Sequence, residues 1–392
     1  MRVVTVWSSI VPTIALAPFT RLVLSDLRGP KAEIVEHAEH LGAALDWLIR
    51  AHDHGDRGGV SYGYSVRGGW RPPYVETTGY IATTFFELAH RLDRPDLRDR
   101  AIQMVDWLVE VQLADGSFGN DRMTAGQGIV FDTGQDLFGL VRASIETGDE
   151  RFHDAARRAG DWLVDVADAG RRWTRNTHLG VPHVYNSRVA WALLQLNQVA
   201  PSADYEGVAR ANLDWAVSEQ RSSGLYDNCA FEQGHAPFTH TIAYAIRGLW
   251  ESGEILDDDD YRTSARRAAD AMLPHVGADG CIPGQIDVDG HPAARYCCLT
   301  GNAQLAIVWA KMWKRSGDER YRRAASSALG YVMARQDRTT RDDGRRGAIK
   351  GSHPTWGRYS RLTYPNWAAK FFIDAVVECR DLQPEIDNGV DS

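Results

Sequence analysis

The stretch ERFHDAARRAGDWL, residues 150–163, decides the fold because related segments recur along the chain. Each copy has an acidic residue, an aromatic residue or leucine, a basic and alanine-rich turn, and then Asp-Trp-Leu or a relative. Charged residues fall on one face of each copy and apolar residues on the other, as in a helix that borders solvent. The copies occupy residues 96–108, 150–163 and 204–216, with weaker copies at 260–273 and 318–332 and a degenerate first copy at 46–48.

A second kind of segment, nearly free of charge, lies between these copies. Residues 79–86, for example, carry no charge over two helical turns, which predicts helices buried on most sides. Trp47, Trp107, Trp162 and Trp215 lie 60, 55 and 53 residues apart, enough for two helices and two connections per repeat. The nearly uncharged segments are residues 76–90, 132–145, 186–199, 239–250, 300–313 and 366–377.

Six amphipathic helices alternating with six apolar ones predict an all-α fold, the (α/α)6 toroid. In this double ring of helical hairpins the apolar helices form the inner ring, and the last hairpin packs on the first. We expect the toroid domain to span residues 31–380. Residues 1–30 are then an N-terminal extension, and residues 381–392 a C-terminal tail.

Composition and charge limit the partners of the protein. The 392 residues include 44 Lys and Arg against 52 Asp and Glu, and the net charge of -8 argues against nucleic acid or an anionic membrane as the main partner. No segment approaches the roughly eighteen uncharged apolar residues of a membrane span. Five cysteines without a disulfide-like spacing favour a reducing, cytoplasmic location, although residues 1–17 resemble a signal peptide and leave secretion as an alternative. The oligomeric state stays open.

Loop lengths indicate which end of the toroid carries the function. The connections from inner to outer helices are short, whereas the segments 49–76, 275–298 and 336–366 exceed the roughly 12 to 15 residues of an ordinary loop. These long connections precede the inner helices, so functional residues should gather where the inner helices begin. Helix N-termini there present unpaired N–H groups that favour an anionic or hydroxyl-rich ligand.

Carboxylates at the starts of two adjacent inner helices are the predicted catalytic pair. Most polar residues at these starts are explained as N-caps, but that role does not account for Glu76, Arg188 or His240. Glu76 and Asp132 should begin helices whose axes lie roughly 8 to 10 Å apart. Such a spacing suits the acid and base of an inverting glycoside hydrolase. The same opening would also suit a uronate lyase or epimerase, with Arg188 holding the carboxylate and His240 or Tyr62 exchanging a proton.

Aromatic and polar residues predict a groove that binds carbohydrate. The loop before Glu76 is rich in glycine and aromatic residues and can lay flat ring faces against a sugar, although it could equally be a rigid surface lid. Later loops contribute further rings, among them Tyr359. The predicted substrate-binding residues are Tyr62, Tyr64, Trp70, Tyr80, Gln135, Tyr185, Asn186, Arg188, Thr300, Tyr364, Asn366 and Trp367.

Thiol and imidazole groups near two inner-helix starts raise the question of a metal. Cys229, His240 and Cys298 would suit zinc by ligand type, but no compact Cys-x-x-Cys pair is present. Buried cysteines acting as small core residues explain the pattern better. We therefore expect no cofactor and keep zinc as the weaker alternative.

The segment Gln112–Gly119 resembles the Gln-to-aromatic repeat of terpenoid cyclases and protein prenyltransferases, and the hairpin order is similar both to that superfamily and to six-hairpin glycosidases. The acidic Asp-x-Asp-Asp motif of the cyclases is not matched, because the segment 287–289 lacks the final aspartate. Residues 74–80, 238–245 and 364–367 resemble bacterial toroid proteins associated with polysaccharide metabolism. This resemblance implies a carbohydrate substrate and, with the carboxylate pair, a glycoside hydrolase. A cyclase-like enzyme and a noncatalytic glycan-binding protein are the alternatives.

Overall fold

The computed structural model describes residues 36–55, 57–119 and 126–382, together with the helical residues 20, 22–24 and 26–27. The predicted N-terminal extension and C-terminal tail lie largely outside these residues. Within them, twelve α-helices of thirteen or more residues alternate between an outer and an inner ring. The outer helices are α1 (His37–Asp53), α3 (Pro95–Val111), α5 (Glu150–Asp165), α7 (Ala203–Ser218), α9 (Asp259–Met272) and α11 (Glu319–Met333). The inner helices are α2 (Val75–Leu92), α4 (Val130–Thr147), α6 (Ser187–Val199), α8 (Thr239–Leu256), α10 (Leu299–Ser316) and α12 (Asn366–Glu378).

The inner helices form a closed ring, since each packs on the next in sequence order and α12 packs back on α2. Each of the first five inner helices also forms a hairpin with the outer helix that follows it, and α12 pairs with α1. The core fills the space between the two rings and is continuous around the toroid. The predicted all-α (α/α)6 toroid is therefore confirmed.

Short turns join each inner helix to its outer partner. Four of these inner helices end at a residue in the left-handed conformation, either Asp or Gly, with φ between 51° and 70°. The outer helices α5, α7, α9 and α11 follow an aspartate or serine whose side chain accepts a backbone N–H bond, as Asp149 does from Arg151 and Asp318 from Arg320, whereas α3 begins with Pro95 and has no such cap. Such N-caps satisfy orphan N–H groups, which lets the turn stay this short.

The repeated outer segments are linked to one another by hydrogen bonds between tyrosine and aspartate. Tyr205 at the start of α7 donates to Asp161 of α5 at 2.6 Å, and Tyr261 of α9 donates to Asp214 of α7 at 2.6 Å. These aspartates belong to the Asp-Trp motif, and the tyrosines are the aromatic residues that open the next copy. The repeat thus records the contact between successive outer helices.

The glutamines of the cyclase-like segment have a structural role. Gln112 donates to the carbonyls of Gly116 and Ala155, and Gln220 donates to those of Gly224 and Ser264. Each glutamine therefore ties its loop to the next outer helix.

Two small antiparallel sheets, which the sequence did not predict, lie in the long loops of the described residues. The strand β1 (Gly63–Ser65) pairs with β2 (Gly69–Trp70) and with β5 (Thr363–Pro365), so the first and last long loops join. The strand β3 (Cys297–Cys298) pairs with β4 (Ser352–His353). No described helix is both long and apolar enough to cross a membrane.

Candidate active site

The end of the toroid that carries the long loops forms the candidate active site. Every inner helix follows a long loop, and the first five end in a short turn, so the inner-helix N-termini open toward the same end. Their unpaired N–H groups give this end a partial positive charge. We call this opening the mouth.

Glu76 and Asp132 lie in the first turns of the neighbouring helices α2 and α4, as predicted. Glu76 is partly exposed, whereas Asp132 is only 7% exposed. The Tyr74 hydroxyl donates a hydrogen bond of 2.6 Å to Glu76 Oε2. Burial raises the pKa of Glu76 to about 7, although the Tyr74 hydroxyl and the Arg188 charge oppose this shift.

The electrostatics of this pair separate the two protonation states. Burial raises the pKa of Asp132 well above its usual range, and the negative charge of Glu76 raises it further. Because the charge of ionised Glu76 holds the proton on Asp132, the pair gives up its first proton more easily than its second. One carboxyl can donate a proton and the other can accept one, which is the division of roles that acid–base catalysis needs.

A third carboxyl, Asp136, lies one turn below Asp132 on α4 and is fully buried. Its Oδ1 accepts the backbone N–H of Gly79 at 3.2 Å, across the α2–α4 contact. Its Oδ2 has no partner among the described residues. Burial and the neighbouring Asp132 raise its pKa well above the usual range, so Asp136 holds its proton to a higher pH than an exposed carboxyl does.

One wall of the mouth is aromatic. Tyr62 packs edge-on against Trp367 with ring centroids 4.8 Å apart, and it lies 5.2 Å from Tyr74. The indole N–H of Trp367 donates to the Tyr359 hydroxyl at 2.8 Å. The Arg71 guanidinium lies 5.2 Å from the Tyr62 ring centre and adds a positive charge to this wall. Flat faces with polar edges of this kind suit a sugar.

The facing wall is built from Phe131, Tyr185, Tyr244 and His240. Phe131 packs against Tyr185 at 5.3 Å and against Tyr244 at 5.4 Å. Burial is the largest cause of the raised pKa of Tyr185, followed by the charge of Cys229. The charges of Glu76 and Asp132 also raise it, so the Tyr185 phenol lies near the carboxyl pair.

His240 lies in the first turn of α8, as predicted, with its ring 4.3 Å from that of Tyr244 and 5.1 Å from that of Tyr359. Its Nδ1 is 3.1 Å from Gln304 Oε1. Burial lowers the pKa of His240 to about 3, so the imidazole is neutral near neutral pH. The neutral imidazole can hydrogen-bond a sugar hydroxyl, but its low pKa makes it a weak base for a carbon-bound proton.

Three predicted substrate-binding residues, Tyr64, Trp70 and Tyr364, belong to the sheet formed by β1, β2 and β5, which we call the loop sheet. Trp70 packs on Trp47 of α1 at 5.3 Å and on His54 at 4.7 Å. Tyr64 contacts Trp70, and Tyr364 is paired with Tyr64 across β1 and β5. These rings hold the loop sheet against α1, and no contact joins them to the carboxyl pair among the described residues.

Arg188 lies deeper than the sequence suggested. The helix α6 begins late, after the 3-10 turn Val184–Asn186, and the Ser187 hydroxyl donates to the Ala245 carbonyl two turns into α8. The Arg188 side chain is therefore buried at the centre of the ring, among aromatic rings that include Tyr80 and Tyr244. Its Nε donates to Gln135 Oε1 at 2.6 Å. Arg188, Gln135 and Tyr80 thus form the floor of the mouth instead of its rim.

The remaining predicted polar residues are all buried. Asn366 donates to the Ser61 carbonyl and to the Thr77 hydroxyl, both at 2.8 Å, and so fixes the first long loop. Asn186 and Thr300 each keep one oxygen without a protein partner in the described residues.

The three weak zinc candidates do not form a metal cluster. Nowhere in the described part of the chain do three or more His, Cys, Asp or Glu side chains gather as metal ligands. Burial raises the pKa of Cys229 and of Cys298 to about 12, so both thiols are protonated, and Cys298 Sγ accepts the Gly301 N–H.

Tyr74 and Asp136 are among the site residues that were not predicted. Both carried a signal in the sequence: Tyr74 precedes Glu76 by two residues, and Asp136 follows Asp132 by one helical turn. Tyr244 likewise follows His240 by one helical turn. A search one turn beyond each helix start would have found Asp136 and Tyr244.

Comparison with solved structures places the chain among (α/α)6 toroid proteins. It is similar to the unsaturated glucuronyl hydrolase of Bacillus sp. GL1, with a TM-score of 0.68 and 16% identity over 87% of this chain and 96% of that one. It is also similar to a variant of the Streptococcus agalactiae unsaturated glucuronyl hydrolase complexed with dGlcA-GalNAc6S, with a TM-score of 0.68 and 12% identity over 96% and 98% of the two chains.

A third similar structure is the cellobiose 2-epimerase of Bacillus thermoamylovorans B4167, with a TM-score of 0.65 and 11% identity over 92% of this chain and 99% of that one. No protein-family profile matches the chain, and no curated protein matches it in sequence. At these identities the likeness establishes the toroid fold, in agreement with the predicted resemblance to six-hairpin glycosidases.

Proposed function

We propose that the protein is a glycoside hydrolase that cleaves an oligosaccharide in the mouth, with Asp132 as the general acid and Glu76 as the general base. The observation that carries this proposal is the carboxyl pair at the starts of α2 and α4, in which burial raises the pKa of both groups and the charge of Glu76 holds the proton on Asp132. Carboxyls whose environments separate their protonation states are the usual means of acid–base catalysis by one fold at neutral pH.

The reaction follows from these two protonation states. Asp132 donates its proton to the glycosidic oxygen as the bond to the anomeric carbon breaks. Glu76 accepts a proton from the water that attacks that carbon, and the Tyr74 hydrogen bond stabilises the ionised form of Glu76. Glu76 then releases its proton to solvent and Asp132 takes one up, which restores the starting state.

The substrate class is supported by the walls of the mouth and by the fold. Tyr62 and Trp367 offer ring faces to a sugar, and Arg71 beside Tyr62 can pair with an acidic sugar. Two of the similar structures are hydrolases of unsaturated glucuronyl groups, and one of them holds dGlcA-GalNAc6S. We therefore propose an oligosaccharide with an unsaturated uronate end as the substrate. The argument from similar structures is an analogy of fold.

Sugar epimerisation is the second candidate, because a cellobiose 2-epimerase shares the fold and His240 lies in the mouth. The low pKa of His240 weakens this reading, since epimerisation needs a base for a carbon-bound proton. The burial of Arg188 below the mouth likewise weakens the lyase reading, which needs that guanidinium on the substrate carboxylate.

The test is to incubate the purified chain with dGlcA-GalNAc6S and with cellobiose in deuterated water. Hydrolysis of dGlcA-GalNAc6S predicts free GalNAc6S and loss of the ultraviolet absorbance, because the released unsaturated uronate is a cyclic enol ether that opens and tautomerises to a keto acid. Epimerisation predicts instead deuterium at C2 of the reducing glucose of cellobiose. Glu76→Gln and Asp132→Asn should each lower kcat by about 10² to 10⁴-fold and leave the circular dichroism spectrum unchanged. Glu87→Gln, farther along α2, and Asp154→Asn, exposed on α5, are the matched controls. Two fully active mouth variants would reject the proposal, and binding without turnover would indicate a noncatalytic glycan-binding protein.

A further inference from the structure

A second cavity lies at the end of the inner ring opposite to Glu76 and Asp132. Its volume is about 340 Å³, and it is lined by residues of α2, α4, α6, α8 and α12. A volume of this size is at the lower end of the range for small-molecule sites. The Arg188 guanidinium separates this cavity from the mouth, because its charge acts on Glu76 on one side while its side chain lines the cavity on the other.

The lining of this cavity is strongly cationic. Arg142, Arg188, Arg247 and Lys370 line it, and Asp374 is the one carboxylate among the described residues of the lining. Three of the four cations have carboxylate partners: Arg142 pairs with Glu146, Arg247 with Glu251, and Lys370 with Asp374.

Arg188 is the cation that has no such partner. It is 2% exposed, and its only polar side-chain contact in the described residues is the bond from Nε to Gln135. One terminal nitrogen of Arg188 and one of Arg247 are buried without a hydrogen-bond partner there. A buried guanidinium without a compensating charge is costly, and so is each unpaired N–H group.

The two unsatisfied arginines both contact the Trp191 ring, and the charge of Arg247 acts on Arg188. The guanidinium carbon of Arg188 is 5.2 Å from the centre of the Trp191 ring, and that of Arg247 is 5.1 Å from the same ring. Each like charge disfavours the other, so a negative charge between them would relieve both the repulsion and the missing hydrogen bonds. The partial negative charge of the carbonyl groups stabilises a cation in the last turn of a helix. Arg188 lies in the first turn of α6, so this effect does not stabilise its charge.

From these contacts we propose that the second cavity binds a small oxyanion, a carboxylate or phosphate group held by Arg188 and Arg247. Guanidinium groups match the paired oxygens of such anions by two parallel hydrogen bonds. The walls, with Trp191 and Phe138 and the amides of Gln195 and Gln198, leave room for a body no larger than a single sugar. This site is independent of the proposed hydrolase activity.

The test is calorimetric titration of the full chain with sodium phosphate, with glucuronate and with glucose at constant ionic strength. Because glucuronate could also enter the mouth, the titrations are repeated on Glu76→Gln. Binding of phosphate alone would identify a phosphate group as the ligand, binding of glucuronate alone a sugar acid, and binding of both an oxyanion in general. Failure of both anions to bind at millimolar concentration, or equal binding of glucose, would overturn the proposal.

Arg247→Gln should weaken anion binding by tenfold or more, because it removes one charge-assisted pair of hydrogen bonds. Arg315→Gln is the matched control: Arg315 lies in the last turn of α10 at the same end of the toroid but outside this cavity. If Arg247→Gln unfolds, the anion should still raise the Tm of the unmodified chain more than sodium chloride of equal ionic strength does. Unchanged anion affinity in folded Arg247→Gln, or an equal Tm with both salts, would contradict the site.

Discussion

The Tyr74 hydroxyl donates a hydrogen bond of 2.6 Å to the Glu76 carboxylate, and only one residue separates the two in the chain. Tyr74 ends the first long loop in an extended conformation, and Glu76 is the second residue of α2. The bond therefore crosses the boundary between loop and helix. The loop therefore contributes to the ionisation of the group that α2 positions.

Tyr74→Phe should move the acidic limb of the pH dependence of kcat/KM to higher pH by about one unit. The hydroxyl stabilises ionised Glu76, so its removal raises the pKa of Glu76 still further, and a base must lose its proton before it can act. The measurement is the pH–rate profile. Tyr64→Phe is the control, since that ring lies against Trp70 on the outer side of the loop sheet. An acidic limb at the same pH in Tyr74→Phe would contradict the assignment of Glu76 as the base.

Glu76→Gln should stabilise the fold, and more so as the pH rises. The folded state holds the Glu76 proton more tightly than the unfolded state does, because burial raises the pKa from 4.5 to about 7. Stability is therefore lost as the pH rises from about 4.5 through about 7, and the glutamine variant avoids this loss. The gain should approach about 3 kcal/mol at pH 8 and vanish near pH 4. Urea denaturation at both pH values measures it, and a gain that did not depend on pH would count against the raised pKa.

Asp136→Asn should leave the stability at pH 6 close to that of the unmodified chain, whereas Asp136→Leu should lower it by about 1 to 3 kcal/mol. Asparagine keeps a neutral acceptor for the Gly79 N–H, but leucine leaves this buried donor unpaired. Chemical denaturation of the two variants provides the comparison. If asparagine costs as much as leucine, Asp136 is ionised in the fold and its raised pKa is wrong.

Gly79→Ala should destabilise the protein by about 1 to 3 kcal/mol and lower its activity. A Cβ atom at Gly79 would lie 2.4 Å from the Asp136 Cα, so α2 and α4 would have to separate and carry Glu76 away from Asp132. Gly42→Ala on α1 is the control, because nothing lies within 4 Å of its Cβ position. That variant should gain up to about 1 kcal/mol by helix propensity. Thermal unfolding and steady-state rates of both variants decide the point.

The ring and the end of it that carries the long loops could be predicted because they depend on periodic features. The Asp-Trp repeat marks the outer helices, the uncharged segments mark the inner ones, and the loop lengths show where the mouth lies. Glu76 and Asp132 followed from these features, since both begin inner helices. A residue at a helix start has its place in the ring fixed by the repeat.

Residues in the long loops and at an irregular helix start could not be placed from sequence. Tyr62 and Tyr64 are two residues apart, yet Gly63 between them has a φ of 142°, and only Tyr62 faces the mouth. Arg188 was placed correctly in the first turn of its inner helix, but the repeat gives no sign that α6 begins two turns deeper than α8. Depth along the ring axis is set by tertiary packing, such as the bond from Ser187 to the Ala245 carbonyl.

The pairing of α12 with α1 gives the toroid no terminal repeat. Open helical arrays need polar capping repeats at both ends and can unfold one repeat at a time. A closed ring has no end at which unfolding could start. Loss of any single hairpin would uncover two apolar faces at once. Unfolding should therefore be a collective event, in which the whole circle opens together.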